Sequence, residues 1–137
     1  METEGQFAPD SAAAARDRYE ALGSTAQVVV KEVAKAMELD AETYRERVTG
    51  EVVETARDVL FAESLAVTVG TREEFEEWRA DTDHDVEVIG AENVDNVVWH
   101  APPFADVAVA ATFQDERGAA VGTLRRQAFG RIYSEVV

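Results

Sequence analysis

The sequence predicts an α+β fold: a helical N-terminal half, then a small antiparallel sheet of three to four strands packed by a C-terminal helix. Three observations carry that expectation. Apolar residues recur at helical spacing from about residue 11 to 64. Past residue 66 the pattern changes to short, β-branched, alternating runs, and residues 116–137 return to helical spacing. No repeat, linker or low-complexity stretch divides the 137 residues. One domain is expected over 1–137, helical at about 10–65, with the sheet and last helix at about 66–137.

Asp10 is the expected cap of a first helix, roughly 11–22, with Ala12, Ala15, Tyr19 and Leu22 on one face and Gly23 as its stop. Ser24 and Gln27 have capping-box spacing for a second helix, roughly 25–38. Its apolar stripe is Ala26, Val29, Val30, Val33 and Met37, with Lys31, Glu32, Lys35 and Glu38 outside. Asp40 caps a short third helix carrying Tyr44 and Val48. After Thr49-Gly50, a fourth helix to about residue 64 is expected to bury Val52, Ala56, Val59 and Leu60.

Ala66 to Val69 reads as a strand ending at Gly70, and Thr71 with Glu74 repeats the capping box before an acidic helix holding Phe75 and Trp78. Strands follow at about 85–89, 94–100 and 106–113. In the last, Val107, Val109, Ala111 and Phe113 alternate with Ala108, Ala110 and Thr112, a small face that implies close helix packing. Pro102-Pro103 fits a hairpin loop, and Asp115 is the expected cap of the final helix.

Composition narrows the function. Apolar residues make up 46% of the chain, enough for a core. The absence of cysteine excludes disulfides, thiolate metal sites and cysteine nucleophiles. No apolar run approaches the ~18 residues that span a bilayer, and the acidic start METEGQ has no signal-peptide pattern. A cytoplasmic protein without a membrane partner is expected. There are 28 acidic against 13 basic residues, a net charge of −15, and only two lysines. The acids are interspersed with apolar residues, as in Glu73-Glu74-Phe75-Glu76-Glu77-Trp78, rather than gathered in a tail. Such charge repels itself in ordinary buffer, and in molar salt a Debye length of about 3 Å removes the repulsion. The composition reads as adaptation to high intracellular salt; the alternative is an acidic protein that binds a basic partner.

Five stretches, Lys31–Met37, Arg47–Ala56, Val67–Trp78, Glu92–His100 and Leu124–Arg131, resemble a haloarchaeal family known as a domain of unknown function. The resemblance covers nearly the whole chain and implies a halophilic archaeal protein, with no activity or catalytic residue attached. Locally, Glu32–Val48 resembles the helix-turn-helix of transcription regulators. That resemblance implies Ala34 at the helix crossing and Met37, Leu39, Tyr44 and Val48 buried. Asp40 would cap the recognition helix, leaving Thr43, Arg45 and Arg47 for phosphates or base edges. Glu38 stands where such turns favour glycine, and residues 31–48 carry four basic and five acidic residues. The same two helices serve equally as scaffold, and nucleic acid is not the favoured partner.

Two histidines carry the remaining chemistry. His84 lies in Asp81-Thr-Asp-His-Asp85, which is either a hard-cation site or a solvated acidic turn. His100 follows Trp99 at a strand end and is either a pocket residue or a hydrogen-bonded structural one. Asp95, five residues upstream, points to the opposite face and cannot pair with it. No nucleophile elbow, phosphate loop or metal motif occurs, so no cofactor and no metal are expected. The last helix is the exception in charge: residues 116–137 carry a net +2 against −17 for the rest. Its apolar face, Val121, Leu124, Ala128, Ile132 and Val136, contains Arg125, which needs either an acidic partner within the chain or a ligand. Arg125, Arg131, His100 and Trp99 are the candidate anion or partner site. The leading expectation is a non-enzymatic interaction or ligand-binding module, with a protein partner or a homodimer, through an apolar patch at Phe7, Phe104 or Trp78. A helix-turn-helix regulator and a small enzyme using His100 are the alternatives.

Overall fold

The computed structural model describes residues 1–137. The helices come first. Helix α1 (Ala12–Ala36) is capped by Ser11 rather than Asp10, its hydroxyl accepting from the Ala14 amide at 3.0 Å. It runs unbroken through Gly23, so the two expected helices are one. Arg57 of α3 packs beside this turn: its guanidinium lies 4.2 Å over the Tyr19 ring, and its Nε donates to the Tyr19 carbonyl at 2.7 Å. A Cβ at position 23 would stand 3.4 Å from that guanidinium. Gly23 is therefore interior to the helix and not its end.

Helix α1 closes with Leu39 N–H donating to the Ala34 carbonyl at 3.3 Å and Glu38 N–H to the Lys35 carbonyl at 3.0 Å. Glu38 takes the left-handed position (φ 55°) that glycine usually fills. Asp40 then caps α2 (Ala41–Arg47) as expected, and hydrogen bonds from Thr43 hold its carboxyl below the usual range. Thr49 caps α3 (Gly50–Ser64), which runs antiparallel to α1. The face of α3 that packs inward is not the one expected. Val52 and Val59 are exposed, while Phe61 and Ala62 are buried.

The sheet has five strands, not three to four: β1 (Glu2–Glu4), β2 (Val67–Thr71), β3 (Asp85–Ile89), β4 (Asn96–His100) and β5 (Val107–Phe113), in the order β1-β2-β4-β5-β3. Strand β1 pairs antiparallel with β2, Thr3 opposite Thr68. It escapes a pattern reading because Glu-Thr-Glu has no apolar alternation and is a strand only through its partner. The sheet is also not wholly antiparallel, since β3 runs parallel to β5. The chain crosses from edge strand β3 to central β4, and the Pro102-Pro103 hairpin brings β5 back between them.

Helix α4 (Arg72–Asp81) opens with the expected box, Thr71 and Glu74 exchanging side-chain and backbone hydrogen bonds. It covers one sheet face, where Phe75, Val97, Trp99 and Ala110 form a small core with Trp78 against it. Trp99 sits directly opposite Ala110, so the alanine face accommodates an indole. Helix α5 (Arg117–Ala128) covers the other face with the end of α3. Its N-cap position is Glu116, not Asp115, and makes no side-chain bond. A single π-type turn, Phe129–Tyr133, follows and widens the helix so that consecutive Ile132 and Tyr133 both point inward. Phe61 is the centre of this larger core, its ring 5.0–6.0 Å from those of Phe7, Tyr19, Phe129 and Tyr133.

Candidate functional site

Strand alternation and the π-type turn bring His100 against Tyr133 inside the larger core. His100 is 1% exposed. Its Nδ1 lies 2.6 Å from the Ala66 carbonyl, which can only accept, so Nδ1 carries the proton and donates. Nε2 is then a bare acceptor, filled by the Tyr133 hydroxyl at 2.6 Å. Burial lowers the imidazole pKa to about 4, against the smaller upward pull of the Ala66 hydrogen bond. Burial likewise pushes the Tyr133 phenol above its ordinary value. The pair is neutral, in one tautomer, with both ring nitrogens used.

Arg125 stands beside it, as the helical projection requires, and its side chain is only 13% exposed. Its main partners are backbone atoms. Nε donates to the Leu65 carbonyl at 3.0 Å and Nη2 to the Glu4 carbonyl at 3.4 Å, while the Glu63 carboxylate is 3.8 Å away at the edge. Gly5 makes room for this: with φ +84°, a Cβ there would meet the Leu65 carbonyl at 2.5 Å and Arg125 at 2.8 Å. Arg125 and His100 therefore hold the adjacent carbonyls of Leu65 and Ala66, fastening the α3–β2 junction. Trp99 and Arg131 are elsewhere. Trp99 faces α4 on the opposite side of the sheet, and Arg131 pairs at the surface with Glu87 at 2.5 Å and Gln127 at 3.1 Å.

The second histidine is also occupied. His84 Nε2 donates to the Pro102 carbonyl at 3.0 Å, and Nδ1 accepts from the Thr82 hydroxyl at 3.0 Å. This ties the turn before β3 to the proline hairpin.

The outer half of the α1–α3 pair is a different kind of surface. Ala26, Val30 and Ala34 are buried between the two helices but belong to neither core of the sheet. Val29, Val33, Met37, Val52 and Val59 remain between 37% and 57% exposed, and the first four line an apolar groove of about 330 Å³. Among the positions the local resemblance would bury, Ala34 is buried, Leu39, Tyr44 and Val48 are half-buried, and Met37 is exposed. Thr43 is half-buried, with Arg45 and Arg47 exposed on α2 and Arg47 at the end of the groove. Phe7, Phe104 and Trp78, where a patch was expected, are instead packed against the two cores. Periodicity alone assigns the Val52 and Val59 stripe to the interior, whereas both residues are exposed. The available signal was that α3 carries two apolar stripes, and one helix cannot bury both against a single neighbour.

No helix is long and apolar enough to cross a membrane. No curated protein and no solved structure matches this chain. A family model matches residues 6–134, and the chain belongs to that family, a family of unknown function (DUF5809).

Proposed function

We propose that the chain is a non-enzymatic interaction protein of the cytoplasm, one domain adapted to high salt, which meets its partner through the apolar face of the α1–α3 arm. One observation carries this reading: Val29, Val33, Met37, Val52 and Val59 stand exposed together on one side of two helices. Contiguous apolar surface in water stabilises nothing in the isolated fold and marks a contact. His100 supports the non-enzymatic part, since its nitrogens are both engaged and its pKa of about 4 leaves it neutral near pH 7. The net charge of −15 supports the high-salt part.

A pull-down from a high-salt lysate, with wild type and Val33→Glu as parallel baits, tests the surface. Retention of a protein by the wild type and its loss on the variant is the expected result. Equal capture by both would remove the face from the function. For the salt adaptation, circular dichroism melts from dilute buffer to molar KCl should rise with salt, and a flat series would remove it.

A second reading, DNA contact through Thr43, Arg45 and Arg47, is favoured by left-handed Glu38 and by the exposure of both arginines. Salt-sensitive binding of a labelled duplex, lost in Arg45→Ala, would establish it.

A further inference from the structure

The two edges of the sheet are finished differently. Strand β1 is three residues long, and Arg117 clamps both of its glutamates. Strand β3 is five residues long, pairs with β5 at every position, and carries no proline. No strand lies on its other side. The Asp85 N–H donates to the Asp106 carbonyl, so in this parallel ladder Asp85, Glu87 and Ile89 turn their main-chain groups toward β5. Val86 and Val88 turn theirs outward, and Val88 is 38% exposed. Two N–H donors and two carbonyl acceptors are thus open along one side of β3.

The side chains of this strand divide by face. Val86 packs against the small core under α4, and Val88 follows on the same face. Asp85 and Glu87 stand on the other face, where Ile89 meets the larger core. Acidity is dense here. Residues 81–92 carry five acids and no lysine or arginine, a net −5 in 12 residues against −10 in the other 125. Neighbours from other elements do not relieve it: Arg131 pairs with Glu87, while Asp106 and Glu116 stand at the two ends of the strand. Acids on an open edge repel an acidic strand and receive a basic one.

We propose that the free edge of β3 is a docking site for a basic extended segment of another protein, added antiparallel as a sixth strand. Its main chain would bond to Val86 and Val88. Lysine or arginine at alternate positions would face Asp85 and Glu87, and β-branched residues between them would face the two valines. A second copy of this chain does not fit, because its own edge would set the same acids against Asp85 and Glu87. The site is separate from the α1–α3 face and stands or falls without it.

The test is a titration of the full chain with a blocked pentapeptide, Lys-Val-Lys-Val-Lys, in molar KCl, followed by amide NMR shifts. At that salt a Debye length of about 3 Å removes attraction to the acidic surface at large. Saturable binding is expected, with the largest shifts and slowed hydrogen exchange at Val86 and Val88. N-methylation of both peptide valines, which keeps the charge and removes the donors, should weaken binding at least about tenfold. Asp85→Lys and Val88→Pro should each do the same from the protein side, while Glu46→Lys on exposed α2 should leave binding unchanged. Unchanged circular dichroism certifies each variant, and the N-methylated peptide tests the edge on the wild type alone. Absence of binding to the wild type overturns the proposal. Equal affinity for the N-methylated peptide overturns it too, as does a loss in Glu46→Lys as large as that in Asp85→Lys.

Discussion

The base and the arm of this molecule treat polarity in opposite ways. At the base, a histidine and an arginine are enclosed, with His100 Nδ1 and Arg125 Nε and Nη2 donating to backbone carbonyls. In the arm, valines and a methionine face water while two lysines stand nearby. Buried polar groups with complete partners fix one arrangement of the chain, since any other leaves them unpaired in low dielectric. Exposed apolar groups fix nothing until something covers them. The comparison places the enclosed polar contacts of the fold at the base and its exposed apolar surface in the arm.

The strongest way to break that division is Phe61→Ala. Phe61 is fully buried and touches four aromatic rings, so its loss should cost about 3–5 kcal/mol in urea unfolding. A loss below about 1 kcal/mol would mean the base is not where stability resides.

His100 offers the next effect, through pH. Its pKa is about 4 in the fold against an ordinary 6.5, so the unfolded chain takes up the proton first. Its contribution is fully present above pH 6.5 and is lost as the pH falls toward 4, a swing of about 3 kcal/mol. Unfolding free energies measured through that window should flatten in His100→Gln. An unchanged slope would assign the acid sensitivity to the carboxylates.

The smallest effect sharpens the boundary between the two regions. Gly23→Ala should stabilise by about 0.5 kcal/mol, because alanine favours the helix interior and its methyl meets Arg57 at an ordinary distance. Destabilisation of that size would mean Arg57 needs that position free of a side chain to couple arm and base.

How much of this was legible in the sequence depends on which forces decide each element. Helix caps at Asp40 and Thr71 and strands at 85–89 and 107–113 are local chemistry, and the sequence displays them. Gly23 misleads, since α1 runs on through it to pack against α3, far along the chain. Strand β1 is invisible for the same reason: its two outer residues are glutamates held by Arg117 at 2.7 and 3.1 Å. At the candidate site, the projection put Arg125 in the apolar face correctly. It could not say that backbone carbonyls rather than an acid would receive it. The apolar arm was legible as periodicity, but choosing between the two stripes of α3 needs the position of α1.

The bond from Arg125 to the Glu4 carbonyl spans 121 residues. During synthesis the arm can assemble once residue 64 has emerged, because α1 and α3 are near in sequence. Strand β1 has no such freedom. Its clamp arrives on α5, after every other strand has been made. Long-range closures of this kind are slow, because the loop must be ordered before the contact rewards it. Sequence separation alone thus favours one order: apolar arm early, closure of the sheet edge late. In that interval the apolar arm stands ready while the β2 edge is still open, the state in which an acidic chain most needs its own repulsion to remain separate.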